Sequence, residues 1–334
     1  MNIQAINTSN NITFGKSNKP KKERNRGGLR AYFASGLVAA AIPAKSISLK
    51  IFESMRETNK LSAEDLSKVH SALNKTMKDS GLLNKGVELI KIKDINPEKL
   101  SLKKVINYLT SSKVYDENKR AAAILENVYK EHLSKDLKYK ALNVKQRGKI
   151  AKTLSERYIL MLQKGMNAFY LGKANKILIP ETKLALSGFH EAGHAMNRNF
   201  SKIGKALQNN KKIKLLAPIF LLIGAFGKNK KDKDNKTKNK TVTFIRNNAG
   251  KLTFATFLPI LIEEGMATVK GNRMAKEALD KNLAAKVSKT NRVAYMSYLL
   301  TAVIATISTF TAVKVKDRIQ NKHNKKVALR NESF

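Results

Sequence analysis

One five-residue stretch, His190 to His194, constrains the fold of this chain more than any other. It has the pattern His-Glu-x-x-His, with Glu191 directly after the first histidine. Two histidines four positions apart lie on the same face only if the chain is helical there, and both can then bind one Zn²⁺. The glutamate between them can reach a water molecule that the zinc activates. The stretch therefore predicts a helix that carries part of a zinc hydrolase site.

An ordinary amphipathic helix with buried, hydrogen-bonded histidines is the alternative for this stretch. That alternative gives no reason for a glutamate between the histidines. The chain has five histidines in 334 residues and no cysteine. A metal site must therefore use histidines and carboxylates, and both disulfides and thiol chemistry are excluded.

A catalytic zinc site usually has a third protein ligand, and the best candidate is Glu264. It belongs to a pair of glutamates that follows an apolar segment and begins a predicted helix, and Glu263 is the second choice. Thr268 and Asn272 follow Glu264 by one and two helical turns, so they are predicted to hydrogen-bond a ligating histidine. The alternative is that the glutamate pair caps a helix or flanks a membrane segment.

Residues 167–180 are predicted to form two strands joined by a turn at residues 172–175. The helix that carries the two histidines is predicted to follow directly, from about residue 181 to residue 207. A strand near a metal site can bind a peptide by pairing with its main chain. Three residues are predicted to bind substrate in this way: Asn167, Ala168 and Phe169. The alternative is an ordinary hairpin beneath a helix.

The two motifs together resemble those of the gluzincin metallopeptidases, in which His-Glu-x-x-His and a later Glu-Gly-x-Ala/Ser pattern supply three zinc ligands. Here the second pattern is Glu264-Gly265-Met266-Ala267. With the preceding strand pair, the chain resembles the membrane zinc endopeptidases of the heat-shock and CAAX-processing type, in which hydrophobic spans also separate the two motifs. The resemblance covers about residues 165–275. It implies a zincin-like α+β catalytic domain, bound Zn²⁺ and peptide-bond hydrolysis.

The sequence departs from this family pattern at two points. Thermolysin-like and heat-shock families place an aspartate one turn after the ligand glutamate, where this chain has Thr268. There is also no second histidine or arginine in a recognisable motif to stabilise an oxyanion, and the candidate donors are Arg273, Tyr295 and Tyr298. The string HEAGHA also resembles AAA-linked membrane proteases, but the chain lacks a Gly-rich phosphate-binding loop, so that likeness is local.

Several apolar segments predict contact with a membrane. Residues 293–313 are apolar and free of charge and predict a transmembrane helix, and the basic residues after it predict a cytoplasmic C-terminal tail. The run at residues 31–44 fits a membrane helix, a membrane-surface helix or a signal peptide, and a membrane anchor is favoured. Residues 213–226 and 252–262 are short and predict re-entrant, interfacial or buried segments.

The chain has 65 Lys and Arg against 25 Asp and Glu, a net charge of +40. Such a charge favours anionic partners. Lysines occur in almost every segment and are not grouped with aromatic side chains, so anionic membrane lipid is the expected partner and nucleic acid is unlikely.

The predicted fold class is mainly α with a small β-sheet, and it includes transmembrane or membrane-associated helices. The predicted N-terminal regions are a disordered basic tail at 1–30, a membrane-anchor candidate at 31–51 and a helical region with one strand at 52–165. A catalytic region follows at 166–280, with an apolar insert and a Lys-rich loop at 228–241. The C-terminal regions are a transmembrane helix at 293–314 and a basic tail at 315–334.

The expected function is a zinc metalloendopeptidase of the cell (inner) membrane that acts on a peptide or membrane-protein substrate. The alternative is a non-catalytic, basic, membrane-anchored relative that binds anionic lipid or a protein partner.

Overall fold

The computed structural model describes residues 50–51, 53–93, 116–136, 139, 141–226 and 240–332. The basic tail predicted at 1–30 lies outside the described residues. Most of the anchor candidate at 31–51 and most of the Lys-rich loop at 228–241 also lie outside them.

Within these ranges the protein is mostly helical and contains one three-stranded sheet, in agreement with the predicted mainly α class. The helices and strands, in chain order, are α1 (Ala63–Asp79), β1 (Glu88–Ile92), α2 (Asp116–Lys135), α3 (Val144–Gln163), β2 (Phe169–Leu171), β3 (Lys176–Pro180), α4 (Gly188–Phe200), α5 (Lys202–Asn210), α6 (Ala217–Phe226), α7 (Lys240–Asn247), α8 (Ala249–Ala278) and α9 (Lys281–Glu332). Short 3₁₀ turns cover Leu83–Lys85, Ala185–Ser187 and Lys211–Leu216.

The sheet has the strand order β1-β3-β2. Strands β2 and β3 form the predicted antiparallel hairpin, with Phe169 opposite Leu178. Asn175 in its turn has a φ of 55°, in the left-handed region, which asparagine tolerates better than most residues. Strand β1 pairs with β3 in parallel. In the sheet of the described residues, β2 is therefore an edge strand.

Helices cover both faces of this sheet. On one face, Ile179 packs in a core with side chains of α1, α4 and α9, among them Leu73, Phe189 and Val287. On the other face, side chains of α2 and α3 bury Leu178. Strand β3 is thus held between two apolar layers, and it directs the chain into α4 at a fixed position.

The predicted single helix over residues 181–207 is wrong in its bounds. Pro180 ends β3, a 3₁₀ turn over Ala185–Ser187 follows, and α4 begins only at Gly188. Ser201 then adopts an extended conformation, and its side chain accepts a hydrogen bond from the Gly204 backbone N–H at 3.0 Å. Because this is an N-cap, it ends α4 and starts α5 as a separate helix.

Helices α8 and α9 form the longest helical hairpin among the described residues, with lengths of 30 and 52 residues. The apolar stretch at 252–262 is not a short separate segment, because α8 continues through Pro259 and through the glutamate pair. Helix α9 includes the predicted span at 293–314. Both helices are long and apolar enough to cross a membrane, over Ala249–Ala278 and Lys281–Arg318.

Helix α6 packs against the first half of α8 and against α9. Ala217, Phe257 and Ala302 are buried together there. Large apolar side chains on the same three helices remain exposed, including Leu222, Leu258, Ile262, Ile307 and Phe310. This end of the molecule therefore has an apolar surface.

Candidate metal centre

Three side-chain atoms from α4 and α8 converge on one point. The His190 Nε2 and His194 Nε2 atoms are 3.1 Å apart, and Glu264 Oε2 is 3.2 Å from the former and 3.3 Å from the latter. All three residues are buried. The two histidines predicted from the sequence and the favoured glutamate are thus brought together in the structure.

Two glycines allow α4 and α8 to approach closely enough for this cluster. A Cβ on Gly193 would lie 2.2 Å from the Ala267 carbonyl oxygen, and a Cβ on Gly271 would lie 2.6 Å from the Phe189 carbonyl oxygen. Both obstacles are backbone atoms, which cannot rotate away. The helices therefore cross with their backbones in contact, as small residues permit, and this contact fixes the position of Glu264 relative to the histidines.

Glu263 orients His194. Its Oε1 lies 2.8 Å from His194 Nδ1, and the same oxygen accepts hydrogen bonds from the Gln208 side chain at 2.8 Å and the Asn197 side chain at 3.2 Å. A carboxylate that accepts the Nδ1 proton leaves Nε2 free to bind a metal ion. From the sequence, Glu263 was predicted only as the second choice for the third metal ligand.

Thr268 lies beside the other histidine, with its Oγ1 3.4 Å from His190 Nδ1. The residue predicted to support a histidine is therefore adjacent to one. Asn272 is not: its Oδ1 accepts a hydrogen bond from Asn291 Nδ2 at 2.8 Å. The Asn272 side chain is therefore hydrogen-bonded to α9 and does not support a histidine.

Lys211 lies against both glutamates. Its Nζ is 2.6 Å from Glu263 Oε2 and 3.3 Å from Glu264 Oε1. Together with Glu191, the cluster contains three carboxylates and one lysine, so with neutral histidines it has an excess of two negative charges. A buried excess of this size is costly unless a cation balances it.

Charge and burial shift the pKa values of the groups on and next to α4. Burial raises the pKa of the Glu191 carboxyl. Burial lowers the pKa of His194, but the neighbouring Glu264 and Glu263 carboxylates outweigh it and raise that pKa to about 10. Burial also opposes the charge on Lys211, but the same carboxylates raise its pKa. A metal ion that binds His194 must displace a proton at neutral pH.

The three converging atoms fit a zinc ion. Tetrahedral ligands at about 2.0–2.1 Å from Zn²⁺ are separated from one another by roughly 3.3–3.5 Å, and the three separations here are 3.1, 3.2 and 3.3 Å. The ligand set of two histidines and one carboxylate is typical of catalytic zinc. A divalent ion also matches the charge excess of the cluster, so His190, His194 and Glu264 can hold it.

Glu191 faces a cleft of about 920 Å³, which we call the wide cleft. His194, Glu264 and Tyr298 line it on the side of the metal centre. Three further lining residues belong to or precede edge strand β2, and they are Asn167, Ala168 and Phe169. The predicted substrate-binding residues therefore lie next to the predicted base and ligands.

Only one of the three candidate oxyanion donors lines this cleft. Tyr298, from α9, lines it together with Glu264. Arg273 is exposed and pairs with Glu277 at 2.9 Å. The Tyr295 ring lies beside Gly265 instead. The position of Tyr298 depends on how α9 returns along α8, which no local sequence pattern indicates.

Comparison with known proteins finds no family model, no curated protein and no solved structure that matches this chain. The assignment of a function therefore rests on the site itself.

Proposed function

We propose that this protein is a membrane-associated zinc metallopeptidase. The observation that carries the proposal is the triangle of His190 Nε2, His194 Nε2 and Glu264 Oε2, with sides of 3.1 to 3.3 Å, beside a buried glutamate and an open cleft. Bound zinc supplies a Lewis acid that activates water and polarises a peptide carbonyl.

Glu191 acts as the general base. Its carboxyl and the ring nitrogens of the two histidines lie within 4.8 Å of one another, and burial raises its pKa. A carboxylate with a raised pKa is a stronger base at neutral pH. Glu191 takes a proton from the attacking water as the oxygen bonds to the carbonyl carbon. It passes this proton to the amine nitrogen as the C–N bond breaks.

The side chains around the base position the substrate. The outer edge of β2, with which no strand of the described residues pairs, can pair with an extended peptide and hold its main chain along the wide cleft. The Tyr298 hydroxyl, which lines the cleft beside Glu264, can donate a hydrogen bond to the carbonyl oxygen where negative charge develops. Glu263 and Thr268 hold the two histidine rings in place.

The apolar surface of α6, α8 and α9 supports membrane association. Two of these helices satisfy the length and composition of a membrane span, and the net charge of +40 favours an anionic lipid surface. Glu263 and Glu264 lie within one of the two candidate spans. A substrate in or near the membrane is therefore expected.

Zinc-dependent hydrolysis tests the proposal. Full-length wild type and a Glu191→Gln variant, both loaded with zinc in detergent micelles, are incubated with casein and a membrane-protein substrate. The wild type is expected to cleave and to lose activity with a chelator, and the variant to lose at least about a hundredfold because its base is gone. Equal activity of the two proteins would contradict the proposal. Binding to anionic liposomes that a chelator does not change, without any cleavage, would favour the non-catalytic alternative.

A further inference from the structure

The segment that follows α4 combines exposed lysines with exposed apolar side chains. It consists of α5 and the 3₁₀ turn after it, residues 202–216, and we call it the basic segment. It contains five lysines and no acidic residue. Three of its lysines are exposed, namely Lys202, Lys205 and Lys214. Ile203 and Leu215 are also exposed, at 67% and 64%. This combination is typical of helices that bind to a membrane surface.

The inner side of the basic segment is bound to the metal centre. A Cβ on Gly204 would lie 2.6 Å from the Asn197 carbonyl oxygen, so the backbone of α5 lies directly against α4. The Gln208 side chain donates to Glu263 Oε1 at 2.8 Å, and Lys211 Nζ lies 2.6 Å from Glu263 Oε2. Because Glu263 is buried, these contacts hold the segment in place. The exposed side chains of the segment therefore have a fixed position on the molecular surface.

The 3₁₀ turn of the basic segment connects the two environments of α8. Lys211, at the start of the turn, pairs with Glu263 of the metal centre. Ala217, directly after the turn, packs with Phe257 and Ile260 in the apolar part of α8. Because the apolar surface of α6, α8 and α9 is proposed to lie in lipid, the turn is expected at the level of the lipid headgroups.

Exposed apolar side chains continue from the turn of the basic segment into α6. They occur at short intervals along the chain, at Ile213, Leu215, Leu216, Ile219 and Leu222. Helix α6 belongs to the apolar surface that supports membrane association. The exposed apolar side chains of the basic segment therefore extend that surface towards the metal centre, where lysines accompany them.

An anionic bilayer matches this surface better than a second copy of the chain does. In a symmetric dimer the same patch of each copy faces the other, so the lysines of the two basic segments would repel one another. The segment has no acidic residue that could pair with them. Anionic headgroups attract the lysines, and the adjacent acyl chains can take up Ile203 and Leu215.

We infer that the basic segment is a lipid-docking surface, which inserts its exposed apolar side chains into an anionic bilayer and holds the wide cleft at the level of the headgroups. Gln208 and Lys211 line that cleft, so the cut bond of a substrate lies at the membrane surface and not in the bilayer core. The inference rests on the membrane association in the proposed function. It does not depend on peptide hydrolysis.

Tryptophan fluorescence in lipid discs tests the docking surface, because the chain has no tryptophan of its own. Full-length Ile203→Trp and Leu215→Trp are placed in discs of phosphatidylcholine and phosphatidylglycerol. Both should emit at shorter wavelength, lose quenching by iodide and be quenched most by lipids brominated near the headgroup. Val144→Trp, exposed on α3, is the control and should be quenched by iodide only. A short-wavelength emission without lipid quenching would assign the surface to a second copy or another protein, and it would overturn the inference.

Replacing the exposed lysines isolates the contribution of charge. In the Leu215→Trp background, the triple substitution Lys202→Gln, Lys205→Gln and Lys214→Gln should weaken lipid quenching in anionic discs and leave it unchanged in discs of phosphatidylcholine alone. Each lysine near an anionic surface favours the docked state about fivefold. The matched control replaces three exposed lysines of α3, Lys145→Gln, Lys149→Gln and Lys152→Gln. Equal quenching of the two triple variants in anionic discs would contradict the inference.

A reporter on the apolar surface separates this inference from the proposed function. Ile307 is exposed on α9, so full-length Ile307→Trp reports membrane association itself. Lipid quenching at residue 307 but not at residues 203 and 215 overturns the docking surface and leaves membrane association standing. Quenching at none of the three positions contradicts both. Lipid quenching at residues 203 and 215 in a zinc-loaded protein that cleaves no substrate overturns the peptidase proposal and leaves the docking surface standing.

Discussion

The two halves of helix α8 bury different kinds of side chain: apolar in the first half and charged in the second. In its first half, up to Ile262, Phe257 and Ile260 pack with α6 and α9, while Leu258 and Ile262 remain exposed. In its second half, Glu263 and Glu264 are buried and paired, and the helix touches α4 through backbone atoms. One continuous helix therefore joins an apolar surface suited to lipid to a charged interior suited to a metal ion.

This difference indicates where the helix tolerates substitution. Apolar contacts in the first half are not directional. The loss of folding free energy on substitution there is therefore about proportional to the apolar area that becomes exposed. The second half depends on paired charges and on glycines, and removing one member leaves a buried group without its partner. The catalytic proposal concerns this second half, and the membrane proposal concerns the first.

The largest effect is expected from removing a buried charge in the second half. Glu263→Ala removes the buried carboxylate that His194 Nδ1 binds and one of the two carboxylates that contact Lys211, so the free energy of unfolding should fall by about 3–5 kcal/mol. Thr253→Val, which breaks the buried Thr253–Thr309 hydrogen bond of 3.2 Å in the first half, should cost about 1 kcal/mol. Denaturant unfolding in detergent measures both, and equal losses would remove the distinction between the halves.

The second largest loss of stability is expected where α4 crosses α8. Gly193→Ala places a Cβ against the Ala267 carbonyl oxygen, and forcing the helices apart should cost about 1–3 kcal/mol and weaken zinc binding. Gly250→Ala, in the first half, has its nearest contact at 3.4 Å from a Phe310 side-chain atom. It should be neutral or stabilise by about 0.5–1 kcal/mol. Unfolding and zinc titration of both variants make the comparison, and an undisturbed Gly193→Ala protein would contradict the close crossing.

Substitutions on the exposed apolar surface are expected to have the smallest effect on the metal centre. The double substitution Ile307→Asn and Phe310→Asn should leave zinc binding unchanged but lower partition into membranes about tenfold, because both side chains are 56% exposed. Val269→Asn is the control, since Val269 is exposed on the second half of α8. Liposome flotation measures both. Equal partition of the two variants would show that the apolar surface is not what binds the membrane.

The sequence predicted those parts of the site that depend on local pattern. The spacing of His190 and His194, the hairpin before them and the choice of Glu264 follow from short motifs, and the structure brings all of them together. The bounds of the motif helix were wrong because a 3₁₀ turn over Ala185–Ser187 precedes α4 and because Ser201 caps a separate helix after it.

The remaining parts of the site join residues that are distant in the chain. Glu263, which the sequence indicated only as a second choice of ligand, supplies the carboxylate that orients His194, and Lys211 pairs with Glu263 from a 3₁₀ turn. Tyr298 comes from α9, the other helix of the hairpin that contains Glu264. Gly193 occupies one of the two positions that the His-Glu-x-x-His pattern leaves open, and its packing against Ala267 is a tertiary contact. Such contacts depend on tertiary packing, which motif spacing does not encode.

The most direct test of the central claim is the zinc content of the purified full-length protein, measured by atomic emission after equilibration with buffered zinc. One zinc per chain is expected for the wild type and for Glu191→Gln. The zinc content should fall to background in His190→Ala, His194→Ala and Glu264→Gln. A wild type that binds no zinc, or zinc binding that survives all three ligand substitutions, would contradict the claim that these side chains form a metal centre.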